Sequence, residues 1–255
     1  EIGVRLVGSE MCIRDRYSWR KIQKKMNILI TRPLIDAEDL MGKLFSLGHK
    51  IIHIPTLKIS STKIDPVDAN QYDAFIFTSA NAIRNLKVIN ENKKKLCFCV
   101  GAITEKITRL KGYNNTIAAG GTVNALKNII LNSNFINQNS KVAYFCGDNI
   151  TYDLNQELKR EGIKTDKIIN YASAKITDLN EENNKIISSH PPDIIFVYST
   201  RSAISFIEIV KKYSLYPLMT GSKVMCISKK VAEIFNKKDW KKIGIFNPGE
   251  ELLEL

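Results

Sequence analysis

The chain has little with which to build a metal centre, a covalent nucleophile or a disulfide scaffold. Its 255 residues include only three histidines and five cysteines. Cys97, Cys99, Cys146 and Cys226 fall mostly inside apolar runs, without the paired spacing of a zinc site, and read as reduced core thiols. His49 and His53 flank one apolar run and His190 precedes Pro191-Pro192, which suits structural or surface roles better than catalysis. No HExxH, GxGxxG, P-loop or Ser-His-Asp order is present. No apolar run approaches the ~18 residues of a membrane-spanning helix, so a soluble, cytoplasmic protein with no membrane partner is expected.

Acidic residues are also in deficit, leaving a net charge of +12. The surplus is scattered, at Lys93, Lys94, Lys95, Lys211, Lys212, Lys237, Lys238, Lys241 and Lys242. Nucleic-acid modules concentrate such charge on one element or interleave it with stacking aromatics, and no such motif occurs. A polyanionic small molecule or plain solubility explains the charge at least as well.

Residues 1–25 match nothing else in the chain. The stretch VGSEMCIRDR, Val7 to Arg16, back-translates into a sequence resembling library-adapter DNA, so 1–25 is read as a non-native leader and Met26 as the native start. The alternative is a basic tail or targeting peptide, but the apolar stretch of a secretory signal is missing.

What the chain does have is a repeat. AFIFTSANAI, ending at Ile83, returns as IIFVYSTRSAI, ending at Ile204. Aligned by eye, Val197 and Tyr198 stand opposite Ile76 and Phe77, Ser199 and Thr200 opposite Thr78 and Ser79, and Ser202 opposite Asn81. KLCFCVGAITEKI, ending at Ile107, is echoed by SKVMCISKKVAEI, ending at Ile234. Each copy is a buried strand breaking into small polar residues before an amphipathic helix, and the carboxyl ends of parallel strands are where open α/β sheets bind ligands. Gly48 and Gly162 each follow a helix where positive φ is wanted.

The spacing predicts strands at 27–31, 50–54, 74–78, 96–100, 116–118, 141–145, 166–172, 193–198, 223–227 and 242–246. Helices are expected at 35–47, from Asn81, from Thr104, at 123–131, 152–161 and 180–188. Such alternation implies parallel sheets covered by helices on both faces. IIHIPTLKI and DKIINYASAK fit neither half neatly and read as paired crossing strands.

Taken in order, LITRP, FTSANAI, VGAITE, GGTVNAL, IINYASAK, VYSTRSAI and ISKKVAE resemble the uroporphyrinogen-III synthase family from Met26 onward. No one of these motifs is specific; their order and spacing make the match. The resemblance implies an α/β fold of two similar three-layer, parallel-sheet domains joined by a two-stranded linker. Residues 26–53 with 176–255 would form one domain, 56–167 the other, and 54–55 with 168–175 the linker strands.

The resemblance further implies a lyase that cyclises hydroxymethylbilane, a linear tetrapyrrole with eight carboxylates, and inverts its last ring through a spirocyclic intermediate. No metal or organic cofactor is implied, and a monomer is expected. Tyr171 matches the family's tyrosine placed to assist departure of the substrate hydroxyl, though a packing role fits it equally. Thr78, Ser79 and Asn81 match a substrate-facing strand end, where helix capping is the alternative. Thr104, after Gly101, matches a threonine at a helix start. Arg32 is positioned to meet a propionate or to pair with a neighbouring carboxylate.

The second half departs from the family. Thr200, Arg201 and Ser202 stand where many relatives carry Ser-Pro-Ser, which makes Arg201 a candidate binder. Ser228 and Val231 replace a glycine and a threonine, putting a hydroxyl contact there in doubt. Gly120 and Gly121 allow close backbone approach. A two-lobed small-anion binding protein, or less readily a basic nucleic-acid module, remain the readings from other classes; strongly salt-dependent affinity would mark the latter.

Overall fold

The computed structural model describes residues 25–235 and 239–255. The expected leader lies outside the described residues except for Lys25, as do Lys237 and Lys238. The chain divides into two compact units, one running to Thr56 and resuming at Thr177–Leu255, the other spanning Leu57–Ile176.

The chain opens with β1 (Asn27–Ile30), α1 (Leu34–Ser46) and β2 (Lys50–His53). The second unit then runs β3 (Leu57–Ser61), β4 (Val67–Asp68), β5 (Ala74–Phe77), α2 (Ala80–Arg84), β6 (Val88–Ile89) and β7 (Leu96–Cys99). It continues α3 (Ala102–Leu110), β8 (Thr116–Ala118), α4 (Val123–Leu131), β9 (Lys141–Gly147), α5 (Leu154–Arg160) and β10 (Lys164–Lys175). Back in the first unit come α6 (Glu181–Ser189), β11 (Ile194–Val197), α7 (Thr200–Lys212), α8 (Tyr216–Met219), β12 (Lys223–Cys226), α9 (Lys229–Ala232) and β13 (Lys242–Ile245).

The first unit's sheet is parallel throughout, in the order β13-β12-β11-β1-β2. Its central strands are buried on both faces, which is why NILI, IIFV and KVMC read as unbroken apolar runs. Leu29, Ile195 and Val197 pack with Phe206 and Ile209 of α7 on one face, while Ile28, Ile30 and Phe196 pack with Ala37 and Leu44 of α1 on the other.

In the second unit the order is β3-β10-β9-β5-β7-β8, parallel except for the antiparallel β3–β10 edge. Phe75, Phe77 and Phe145 face α2, and Ile76, Tyr144 and Cys146 face α4 and α5. All four described cysteines are fully buried, and burial raises their thiol pKa, to about 11 for Cys99 and Cys146 and about 12 for Cys226. Gly48 and Gly162 do adopt positive φ, +85° and +84°, just past the ends of α1 and α5.

Several expectations need adjustment. Residues 54–55 form no strand: Pro55 has no N–H, while Ile54 and Thr56 donate backward to Ile30 O and Thr31 O at 3.0 and 3.1 Å. The antiparallel ladder is instead made by Leu57–Ser61 with Tyr171–Lys175, and β10 runs twelve residues in all, its first part parallel to β9. The short β4–β6 pair and the helix α8 were not among the expected elements, whereas α7 and α9 are the helices expected after the second copies of the repeat. Among the described residues, no helix is long and apolar enough to cross a membrane.

Candidate active site

Each sheet reverses its strand order once, between β1 and β11 in the first unit and between β5 and β9 in the second. Loops diverge at such a point and leave a crevice outside the carboxyl ends of the strands. Arg32 and the Thr200–Ser202 turn follow the two strands at the first reversal; Thr78, Ser79 and Asn81 follow one of those at the second.

In the first unit, His53 Nε2 lies 2.8 Å from Arg32 O, holding the backbone beside Pro33. The Arg32 guanidinium carbon sits 4.3 Å from the centroid of the Tyr198 ring. Phe246 packs edge-on against that ring, at 5.3 Å between centroids. The Tyr198 hydroxyl is buried with no hydrogen-bond partner among the described residues, and burial first, then the nearby charge of Glu251, pushes its pKa well above the ordinary value.

In the structure the two copies of the repeat align one residue away from the register their sequences suggest. Ser79 and Ser199 are both helix N-caps with extended backbone, φ −156° and −161°, the first accepting from Asn81 N and the second from Ser202 N. Tyr198 is therefore the counterpart of Thr78, Arg201 of Asn81, and Ser202 of Ala82. The adjacent hydroxyl residues, Thr-Ser in one copy and Ser-Thr in the other, invite the wrong register; the strand end and the cap fix the right one.

That register explains Ser202. It occupies the third helical position, whose side chain turns into the core, as do Ala82, Thr104 and Val231 in the other three strand-helix units. All four are buried, at 3%, 0%, 5% and 3% exposure. Ser202 Oγ meets Thr31 Oγ1 at 3.1 Å and Thr56 Oγ1 at 2.5 Å, and Thr56 donates to Thr31 O at 3.1 Å. Its hydroxyl thus ties β1, α7 and the end of the β2 connection together. Thr104 is buried likewise beneath α3, which counts against a ligand role for its side chain.

In the second unit, Thr78 Oγ1 lies 3.3 Å from the hydroxyl of Tyr144, whose pKa is raised chiefly by burial. Asn81 Oδ1 accepts from Arg84 Nη1 at 3.1 Å. Gly101 caps α3 with no side chain, leaving the first helical N–H groups without a side-chain acceptor there. A Cβ at Gly101 would meet Gly121 Cα at 3.2 Å, and Gly121, at φ +88°, donates to Val100 O at 2.8 Å. These glycines let two strand-end turns meet backbone to backbone.

Tyr171 lies on β10 beside the end of β9, half-buried. A Cβ on Gly147 would stand only 2.7 Å from Tyr171 Cζ and 2.9 Å from its hydroxyl oxygen, so the ring's outer edge lies directly over the glycine. Tyr198, Tyr144 and Gly147 were not candidates in the sequence. Tyr198 and Gly147 each end an apolar run where the ligand-facing edge begins, and that position was the available signal. Among the described residues no group of three His, Cys, Asp or Glu side chains could hold a metal ion.

The fold defines an α/β protein of two parallel-sheet units, each with one reversal of strand order. The family model described as uroporphyrinogen-III synthase HemD matches residues 38–245, and the chain belongs to the uroporphyrinogen-III synthase family. The crystal structure of uroporphyrinogen-III synthetase from Helicobacter pylori 26695 is similar at TM-score 0.59 and 15% identity, covering 90% of this chain and 97% of that one. A mutant uroporphyrinogen III synthase from the extremely thermophilic bacterium Thermus thermophilus is similar at TM-score 0.52 and 13% identity, covering 90% and 96%. No curated protein sequence matches the chain.

Proposed function

We propose that the chain cyclises hydroxymethylbilane to uroporphyrinogen III, with inversion of the last pyrrole ring, in the cytoplasm and as a monomer. The observation that carries this reading is the family match across residues 38–245. The reaction expels the substrate's hydroxyl as water and leaves an electrophilic azafulvene. Attack by the substituted carbon of the last ring gives a spirocyclic pyrrolenine, which fragments and recloses with that ring reversed. The protein's task is to hold a flexible chain so that this attack outruns direct closure.

In this reading Tyr171 donates its phenolic O–H to the departing hydroxyl. Arg32 and Arg201 bind substrate carboxylates, Arg32 with its orientation limited by the Tyr198 ring. Thr78, Ser79, Asn81 and the turn at Gly101 offer hydroxyl, amide and backbone N–H donors to further carboxylates. Ser202 and Thr104 are left out because their side chains are buried.

Purified protein given freshly generated hydroxymethylbilane, without added metal or cofactor, is expected to yield mainly the type III isomer. Unassisted closure gives type I and serves as the internal control. A product mixture identical to the protein-free control would overturn the assignment and favour the small-anion binding protein.

A further inference from the structure

The strand that carries Tyr171 is irregular at one place. Ile169 is in register with Cys146 and Tyr171 with Gly147, so two steps along β10 match one along β9 and Asn170 is the extra residue of a bulge. In a regular strand side chains alternate, and residues three apart face opposite sides. Yet Ile168 and Tyr171 pack against the same core layer, that of Phe75, Phe77 and Phe145. The inserted residue supplies the change of parity. Without it the Tyr171 ring would point to the other face of the sheet, since a one-residue shift reverses every side chain beyond it.

Asn170 anchors this bulge. It is fully buried, and its Nδ2 donates to Ala82 O, in the helix that begins at the Ser79 cap, at 2.7 Å. Its backbone O accepts from Thr62 N at 3.2 Å, and Thr62 Oγ1 donates to the preceding Ile169 O at 2.7 Å. On the far side Asp148 N donates to Tyr171 O at 3.0 Å. Asn170 Oδ1 is buried with no hydrogen-bond partner among the described residues. A buried amide that leaves half its capacity unmet is costly, and an apolar side chain would avoid that cost.

We propose that Asn170 is a positioning residue for the reaction: by holding the β10 bulge against Ala82 it sets the face and depth of Tyr171, while Gly147 supplies the space in which the ring lies. This rests on the reading of Tyr171 as the donor to the departing hydroxyl.

The test compares Asn170→Ala, Gly147→Ala, Tyr171→Phe and the doubles of each of the first two with Tyr171→Phe. Turnover and KM are measured by titrating substrate through to saturation, with melting recorded for every variant. Asn170→Ala and Gly147→Ala are each expected to lower kcat about as far as Tyr171→Phe, and at least fivefold, with KM within twofold. Each double should match Tyr171→Phe within twofold, because a displaced ring and a ring without its hydroxyl fail at the same step. A structural role alone would instead multiply the losses.

If Asn170→Ala does not fold, Gly147→Ala decides, since it displaces the ring and leaves the anchor intact. Full turnover by Tyr171→Phe would overturn the reading on which the inference rests. A loss in Tyr171→Phe beside unchanged turnover in the positioning variants, or multiplied losses in the doubles, would overturn the inference alone.

Discussion

The guanidinium carbon of Arg32, just past the end of β1, lies over the ring of Tyr198, just past the end of β11, at 4.3 Å from the ring centroid. The two residues belong to neighbouring parallel strands at the point where the first sheet reverses its order. A cation held on an aromatic face gains roughly 0.5–2 kcal/mol and keeps its donor edge for an anion.

Replacing the ring should therefore be read in substrate binding. Tyr198→Leu keeps the burial and removes the stacking surface, and KM should rise about three- to tenfold with kcat changed less than twofold. Arg32→Met should raise KM further. Steady-state kinetics with isomer analysis decides the matter; an unchanged KM in Arg32→Met would remove this arginine from carboxylate binding.

Loss of the Tyr171 hydroxyl should reduce turnover by about tenfold to 10²-fold, at or below the lower end for an essential acid, because the pyrrole nitrogen already activates the leaving group and water can partly replace the phenol. Tyr171→Phe keeps the ring over Gly147, so melting should stay within a few degrees of the parent. Equal turnover at verified saturation would reduce Tyr171 to packing.

Ser202→Ala should do the reverse. Removing Oγ leaves Thr31 and Thr56 short of a buried partner and costs about 1–3 kcal/mol of stability, while turnover per folded molecule stays at the parent level. Chemical denaturation gives the first quantity and kinetics on the folded fraction the second. A kinetic defect larger than the stability loss explains would restore Ser202 to the ligand-facing set.

Tyr72 gives a pH signature. Its hydroxyl donates to Asp166 Oδ2 at 2.9 Å, and burial first, then that carboxylate, raises its pKa from 10.0 to about 12. The folded protein holds this proton more tightly than the unfolded chain, so the contribution is complete below pH 10 and is lost as pH rises through about 12. Melting temperature should fall across that window, and less steeply in Tyr72→Phe than in the parent. Identical slopes would show that other tyrosines account for the alkaline loss.

The fold was legible where burial on both faces makes a strand read as an unbroken apolar run, as in AFIF, LCFC and IIFV. The helix-ending glycines were legible for a different reason, since positive φ excludes most other residues. The site was less so. Thr-Ser against Ser-Thr cannot fix a register, and only the cap bonds of Ser79 and Ser199 show that Ser202 points inward. Arg32 meets Tyr198 across the sheet, far apart in the chain, which local spacing does not encode. The bulge at Asn170 was concealed because NYAS reads as an ordinary strand until its partner strand is known.

The placement of β1 also sets a timetable for synthesis. This apolar strand lies inside its sheet, between β2 and β11, and Thr31 at its end bonds to Phe196, 165 residues later. At roughly 5–20 residues per second, a ribosome leaves β1 without that neighbour for on the order of 10–30 s. During the wait all of Leu57–Ile176 emerges, and its two ends close on each other as Leu57 pairs with Lys175. The inner unit can thus finish first, while β1 stays exposed as a sticky edge, so chaperone demand in the cell should concentrate on the segment that carries β1.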